Sequence, residues 1–143
     1  VGCGRIGKRH AELLSSGAVK GAYLAGVCDT DAERAAAFAS TYGVPSFSHI
    51  QQLCESVEVD VANVCTPSGN HAETATDLAH LGVHVVVEKP MALTLEDADK
   101  MILACAKNQV KLFVVKQNRF NLPIRLTREA VEAGRLGKMM GEC

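Results

Sequence analysis

Short β-branched runs alternate along this chain with longer stretches in which apolar side chains recur every three to four positions, the pattern of parallel βαβ units. Arg5 to Ser15 reads as a helix opened by glycines, and Tyr23 to Cys28 as a strand. Asp31 to Tyr42 is helical, with Ala35, Ala36, Phe38, Ala39 and Tyr42 on one side and Gly43 to close it. Val44 to Phe47 is a short strand, after which Ser48 can cap a helix to about Ser56. Val59 to Cys65 is the next strand, and Asn70 caps a helix that ends near Gly82. Val83 to Val87 is so uniformly apolar and β-branched, His84 apart, that it reads as a central strand covered on both faces. Thr94-Leu95-Glu96-Asp97 has the form of a capping box opening a helix to about Asn108, and Val110 to Val115 closes the series as a strand. The fold class predicted is α/β, a doubly wound parallel sheet.

The pattern changes after Arg119. Asn121-Leu122-Pro123 starts a new helix ending near Gly134, and Lys138 to Cys143 reads as the start of a further strand. Residues 1–120 are therefore expected to form one domain, and 121–143 the beginning of a second, α+β, domain. Only Val1 precedes the first glycine, where a strand is expected, so the chain reads as incomplete at both ends and as poorly stable alone.

At 143 residues, 48% hydrophobic and 22% charged, the chain has material for one real core. Its formal net charge of -1 supplies no broad basic field, so neither nucleic acid nor an anionic membrane is expected as a partner. The apolar runs fall far short of the ~20 residues that a helical membrane span needs. Cys3, Cys28, Cys54, Cys65, Cys105 and Cys143 form no CxxC pair and lie within apolar patterns. They read as small buried hydrophobes in a reducing, cytoplasmic setting, with no metal expected. His10, His49, His80 and His84 likewise lack ligand spacing and read as structural or surface residues.

Gly2, Gly4 and Gly7 match GxGxxG, with Arg5 and Ile6 inside the loop. The first glycine allows the tight turn, the second a close backbone approach to a pyrophosphate, and the third close helix packing. The following helix aims free N–H groups and its positive dipole end at that phosphate. Short glycine patterns occur in many loops, so context decides. Asp29 supplies it, standing at the end of the next strand and 22 positions past Gly7, near the ~20 expected for the acidic residue that takes the ribose hydroxyls. A carboxylate there repels the 2′-phosphate of NADP, which makes NAD the expected cofactor. Arg34, one helical turn on, argues the other way, and Asp29 can also cap the helix before Asp31.

Glu88-Lys89-Pro90 follows the most apolar strand at its carboxyl end, the edge where open α/β sheets place ligands. Taken alone, a lysine after a strand is more often solvated surface. The order GxGxxG, a strand ending in Asp29, Thr66-Pro67-Ser68-Gly69-Asn70-His71 and Glu88-Lys89-Pro90 resembles the glucose-fructose oxidoreductase and inositol dehydrogenase (Gfo/Idh/MocA) family over nearly the whole chain. The unaltered Glu88-Lys89-Pro90 is its most specific element.

The resemblance implies an NAD-dependent Rossmann domain and oxidation of a sugar or polyol hydroxyl by hydride transfer to the nicotinamide, with Lys89 beside the reacting carbon as the catalytic residue. A like charge on the nicotinamide and partial burial both disfavour an ammonium there. Such a lysine can help remove the hydroxyl proton or stabilise the developing alkoxide. The family pairs this lysine with an Asp or His of the second domain, beyond Cys143, and forms homo-oligomers through that domain. Glu88, Thr66, Pro67, Asn70 and His71 are implied cofactor contacts, although a turn explains Pro67 and an N-cap explains Asn70 equally well. A cationic ring at a helix N-terminus is unfavourable, so His71 reads as neutral and available to a ligand.

Lys116, Gln117, Asn118 and Arg119 leave the last strand at the same edge, a set suited to an oxygen-rich, even anionic, substrate or simply to solvent. With the helix after Asn121 they resemble the branch of UDP-N-acetylglucosaminuronate 3-dehydrogenases. Three rivals remain: an inositol or polyol dehydrogenase, an NADPH-dependent dihydrodiol or biliverdin-type reductase, and a dinucleotide-binding protein without catalysis.

Overall fold

The computed structural model describes residues 1–138. In chain order the elements are α1 (Arg5–Ser15), β1 (Val27–Cys28), α2 (Ala32–Tyr42), β2 (Ser46–Phe47), α3 (Ile50–Ser56), β3 (Val61–Val64), α4 (His71–His80), β4 (His84–Val87), α5 (Leu95–Lys107), β5 (Leu112–Val114) and α6 (Leu122–Glu132). Single 3-10 turns at Ser68–Asn70 and Gln117–Phe120 follow β3 and β5. All pairing is parallel. β1 lies beside β2, and β3-β4-β5 form a second ladder in which Val64 faces Val87 and Val87 faces Val114.

Residues 1–3 join the two ladders. The Gly2 N–H donates to Cys28 O at 2.8 Å, Val1 N donates to Asn63 O at 2.8 Å, and the Cys65 N–H donates to Val1 O at 2.8 Å. The lateral order is thus β2, β1, residues 1–3, β3, β4, β5, which is the doubly wound order with its reversal between residues 1–3 and β3. The predicted fold class is the one observed.

The core lies where α4 packs on β3 and β4 alongside α5. Val64, Val85, Val87, Ala75, Leu78 and Met101 are completely buried there. β4 alternates, with Val83, Val85 and Val87 buried and His84 and Val86 half-buried, so one face is sealed and the other only partly covered. The expectation of a strand covered on both faces is corrected in that respect. Cys3, Cys28 and Cys105 are buried, and the five described cysteines are free thiols, as the apolar pattern predicts.

Helix ends follow local chemistry more closely than strand ends. Asp31 caps α2 by accepting the Arg34 N–H, and Gly43 closes it at φ 67°. Thr94 caps α5 by accepting the Asp97 N–H at 3.1 Å. Three cap or face expectations fail. The cap of α3 is His49, not Ser48, and it makes no side-chain bond. Asn70 precedes α4 without a capping bond, because the 3-10 turn before it already uses the local backbone. Ala36 is exposed, since only part of the α2 stripe reaches the sheet.

The strands are shorter than predicted, because a strand needs a neighbour to pair with. Tyr23 to Gly26 pair with no strand among the described residues, and only Val27–Cys28 enter the ladder, beside Ser46–Phe47. Of α6 no residue is buried. Residues 139–143, most of the expected final strand, lie outside the described residues, as does Cys143. Among the described residues no helix is long and apolar enough to cross a membrane.

Candidate cofactor and hydroxyl-oxidation site

The carboxyl ends of the parallel strands gather the glycine loop, Asp29, the turn after β3, Glu88-Lys89-Pro90 and the Lys116–Arg119 turn on one edge. Two of the three glycines are sterically obligatory. Gly2 has φ +89°, and a Cβ there would sit 2.7 Å from Cys65 C and O and from Thr66 N. A Cβ on Gly7 would strike the Gly2 carbonyl, so helix and loop touch backbone to backbone. Gly4 differs, because a Cβ there would meet nothing within 4 Å. It is the N-cap of α1 and gives no side-chain acceptor, so the first-turn N–H groups open onto that space beside exposed Arg5 and Ile6. Bare helix N–H groups over an open cradle suit an anion.

Asp29 is 10% exposed at its side chain and already heavily engaged. Its Oδ2 accepts the Cys3 N–H at 2.8 Å, its Oδ1 accepts the Asp31 N–H at 2.9 Å, and Arg34 Nε lies 3.2 Å from Oδ2. A carboxylate has about four acceptor positions, which leaves about one for a ribose hydroxyl. The capping alternative for Asp29 is not met, since Asp31 does that work. Arg34 spends its guanidinium on Asp29 and Asp31, at 3.2 and 2.9 Å.

The turn after β3 carries a second sign of a missing partner. Thr66 Oγ1 is buried with no hydrogen-bond partner among the described residues. Such a hydroxyl is rare in a native protein and costs stability unless a ligand or water satisfies it. Cradle and orphan hydroxyl together fit a dinucleotide laid across the switch point. Pro67 and Asn70 are exposed beside it.

Lys89 stands exposed, and among the described residues its Nζ makes no ion pair. The partial burial expected of it is not found. Its N–H donates to Glu88 Oε2 at 3.1 Å, while Glu88 Oε1 lies 3.1 Å from His10 Nε2 on α1. The Lys89-Pro90 peptide is cis. Lys116, Gln117, Asn118 and Arg119 are all exposed on the turn after β5.

His71 corrects a sequence expectation. It is 1% exposed, with Nδ1 2.7 Å from Pro90 O and Nε2 2.9 Å from Thr66 O. Each ring nitrogen faces a backbone carbonyl, to one of which a neutral ring can donate at a time, and the buried ring is turned away from any ligand. The structural reading of His10 takes a specific form, a contact of its Nε2 with the Glu88 carboxylate at 3.1 Å. The signal for it lies in spacing: His10 is three residues past Gly7, on the helix face that Gly7 presses against the sheet.

Burial pushes the Cys3 and Cys65 thiols up to about 11, against an ordinary 9.0, and the nearby carboxylates of Asp29 and Glu88 add to it. Neither is a nucleophile at neutral pH. Among the described residues no cluster of three His, Cys, Asp or Glu has the geometry of a metal site.

A family model described as "Oxidoreductase family, NAD-binding Rossmann fold" matches residues 1–116. The chain belongs to the Gfo/Idh/MocA family. It is 34% identical to the myo-inositol 2-dehydrogenase of Thermotoga maritima, over 96% of this chain and 41% of that protein. It is 32% identical to the UDP-N-acetylglucosamine 3-dehydrogenase of Acidithiobacillus ferrooxidans, over 91% of this chain and 40% of that protein. Among solved structures, the WlbA dehydrogenase of Bordetella pertussis in complex with NADH and UDP-GlcNAcA superposes with a TM-score of 0.90 at 40% identity. That match covers 96% of this chain and 42% of the other. The Gfo/Idh/MocA chain described here thus spans about two fifths of the length of these relatives.

Proposed function

We propose that the natural protein is an NAD-dependent dehydrogenase oxidising a secondary hydroxyl of a sugar or nucleotide sugar, with Lys89 at the reacting carbon. The observation that carries this reading is a lysine with no ion-pair partner among the described residues, on a carboxylate-anchored turn at the strand edge that also bears an open anion cradle. NAD, when bound, supplies the acceptor for the hydride that leaves the carbinol carbon. Gly4 and the first turn of α1 hold the pyrophosphate, Asp29 takes a ribose hydroxyl, and Thr66 Oγ1 bonds the cofactor where it lacks a partner. As the neutral amine, Lys89 Nζ would accept the proton of the substrate hydroxyl as the carbonyl forms and become the ammonium; as the ammonium, it would instead donate to that oxygen and steady the charge growing on it. Arg34, paired with two aspartates, has little charge left for a 2′-phosphate, which favours NAD over NADP.

Lys116, Gln117, Asn118 and Arg119 contact the substrate in this reading. Their two cations suit an anionic partner such as a uronate or diphosphate, and the solved relative bound to UDP-GlcNAcA favours the nucleotide-sugar branch. Residues 1–120 are the cofactor domain and residue 121 begins the substrate domain. The absence of any buried residue on α6 supports that boundary, as do its exposed Leu122, Ile124 and Leu126. The test is NADH formation by the natural protein offered NAD with UDP-N-acetylglucosaminuronate, UDP-N-acetylglucosamine or myo-inositol. Turnover with one of them is expected, lost in Lys89→Ala while NADH binding survives. Near-normal turnover of Lys89→Ala would sink the role of Lys89.

A further inference from the structure

Lys89 must hold its amine to within about 0.5 Å of its productive position, yet its own side chain is exposed and has no ion-pair partner among the described residues. Its position therefore comes from the backbone. That backbone is tied on both sides, each time by a histidine from a different helix. On the amino side, Glu88 bridges His10 Nε2 on α1, at 3.1 Å, and the Lys89 N–H, also at 3.1 Å, with one oxygen for each. On the carboxyl side, the Pro90 carbonyl meets His71 Nδ1 at 2.7 Å, and the same ring reaches the Thr66 carbonyl at 2.9 Å.

We infer that His10 and His71 are positioning residues for Lys89, bracing the Glu88-Lys89-Pro90 turn between the phosphate-facing helix α1 and the turn after β3. The inference rests on the reading of Lys89 as the residue at the reacting carbon. Both histidines act through the backbone of the turn in this reading. Both histidine contacts are partly shielded: His10 and Glu88 side chains are 23% and 13% exposed and His71 is 1% exposed, so water competes less for them than for the exposed Glu88 to Lys89 N–H bond. The layout also links the two halves of the site. α1 begins at the glycine loop, and α4 begins beside Thr66, whose hydroxyl is the orphan.

The test uses the natural protein with NADH bound and compares His10→Ala, His10→Gln and Lys89→Ala. Glutamine keeps a nitrogen donor near the place of Nε2 and can still reach Glu88; alanine cannot. In His10→Ala, backbone hydrogen exchange over residues 86–92 should rise about tenfold, the factor equivalent to ~1.4 kcal/mol. NADH affinity should stay within about twofold, and kcat on the substrate found active should fall about 10- to 100-fold, the scale expected of a small misplacement. His10→Gln should recover most of both losses. His71→Asn, which keeps a donor near Nδ1 for Pro90 and loses Thr66, should show a smaller rise in the same segment. Unchanged exchange over 86–92 in His10→Ala would overturn the brace, as would equal defects in the Ala and Gln variants. Near-normal turnover in Lys89→Ala, with the exchange effect of His10→Ala intact, would instead overturn the role of Lys89 and leave the brace without a catalytic purpose.

Discussion

The three glycines of the opening loop should respond to alanine in two opposite ways. Gly7→Ala drives a methyl into the Gly2 carbonyl, and the neighbour is backbone, which cannot swing aside. Overpacking of this kind costs about 1–3 kcal/mol and sometimes more. The shift that relieves it pulls on the Gly2 to Cys28 and Val1 to Cys65 bonds, at about 1 kcal/mol each. The expected total of about 3–5 kcal/mol is a large share of the ~5–15 kcal/mol that holds a typical domain. Gly2→Ala adds about 1–3 kcal/mol for a non-glycine at φ +89° to its own 2.7 Å contacts with Cys65 and Thr66.

Gly4→Ala has neither problem. Its backbone, at φ -82° and ψ -167°, suits any residue, and the methyl points into open space. Folding stability should change by no more than about 0.5 kcal/mol. If that space is where a pyrophosphate seats, the methyl costs binding about 1–3 kcal/mol, a loss of about 5- to 150-fold in NADH affinity. Urea unfolding and NADH fluorescence titration of the natural protein and the three variants separate the effects. A Gly4→Ala protein that binds NADH within twofold of the parent would refute the placement of the cofactor. A Gly7→Ala protein of parental stability would refute the packing argument.

Asp29→Ala strands the Cys3 N–H and should cost about 1–3 kcal/mol in urea unfolding, whereas Arg34→Ala, removing a half-exposed partner, should cost under about 1 kcal/mol. Equal costs would mean that the ion pair, not the amide bond, is what matters. Leu78→Ala, at a completely buried position between α4 and the sheet, should lose about 2–5 kcal/mol by the same assay, and a smaller loss would place Leu78 outside the core. Cys3 and Cys65, with thiols held up to about 11, should alkylate slowly at pH 7–8 and faster as pH approaches 11; fast labelling of either at pH 7 would contradict their burial. Because the folded thiols titrate above the ordinary 9.0, their stabilising contribution is complete below pH 9. It is lost as pH rises through about 11, so thiol-linked loss of stability belongs to the alkaline side.

Helices and motifs were legible because their causes are local. Asp31 and Thr94 accept N–H groups three residues away, and Gly43 takes the left-handed turn, so each end is written within one turn of chain. The spacing of Gly7 and Asp29 works the same way, at the scale of one βαβ unit. Strand length is not local. Tyr23 to Gly26 have the residues of a strand and do not pair among the described residues, because pairing depends on what lies alongside and only Val27–Cys28 have a partner, at Ser46–Phe47.

The histidines make the same point at the site. The spacing from Gly7 puts His10 on the inner face of its helix but does not name Glu88, 78 positions away, as its partner, and nothing near His71 reveals that its nitrogens face carbonyls of two different turns. The expectation that His71 would face a ligand followed from its place at a helix N-terminus, and that placement is correct. What overrides it is burial, since a ring with 1% exposure has to satisfy its nitrogens from protein atoms. The inner end of α4 is therefore spent on holding the two turns together, and the cofactor is left with the groups that have no such duty. In the proposed reading those are the open N–H groups beside Gly4, the acceptor position left on Asp29 and the orphan hydroxyl of Thr66. On this reasoning Thr66→Val, which keeps the shape and removes the hydroxyl, should leave the apo protein as stable as before or more so, because an unsatisfied buried group is lost. It should weaken NADH binding by about 1 kcal/mol, or about fivefold. Fluorescence titration beside urea unfolding reads both, and a destabilised protein with unchanged NADH affinity would show that the hydroxyl serves the fold and not the ligand.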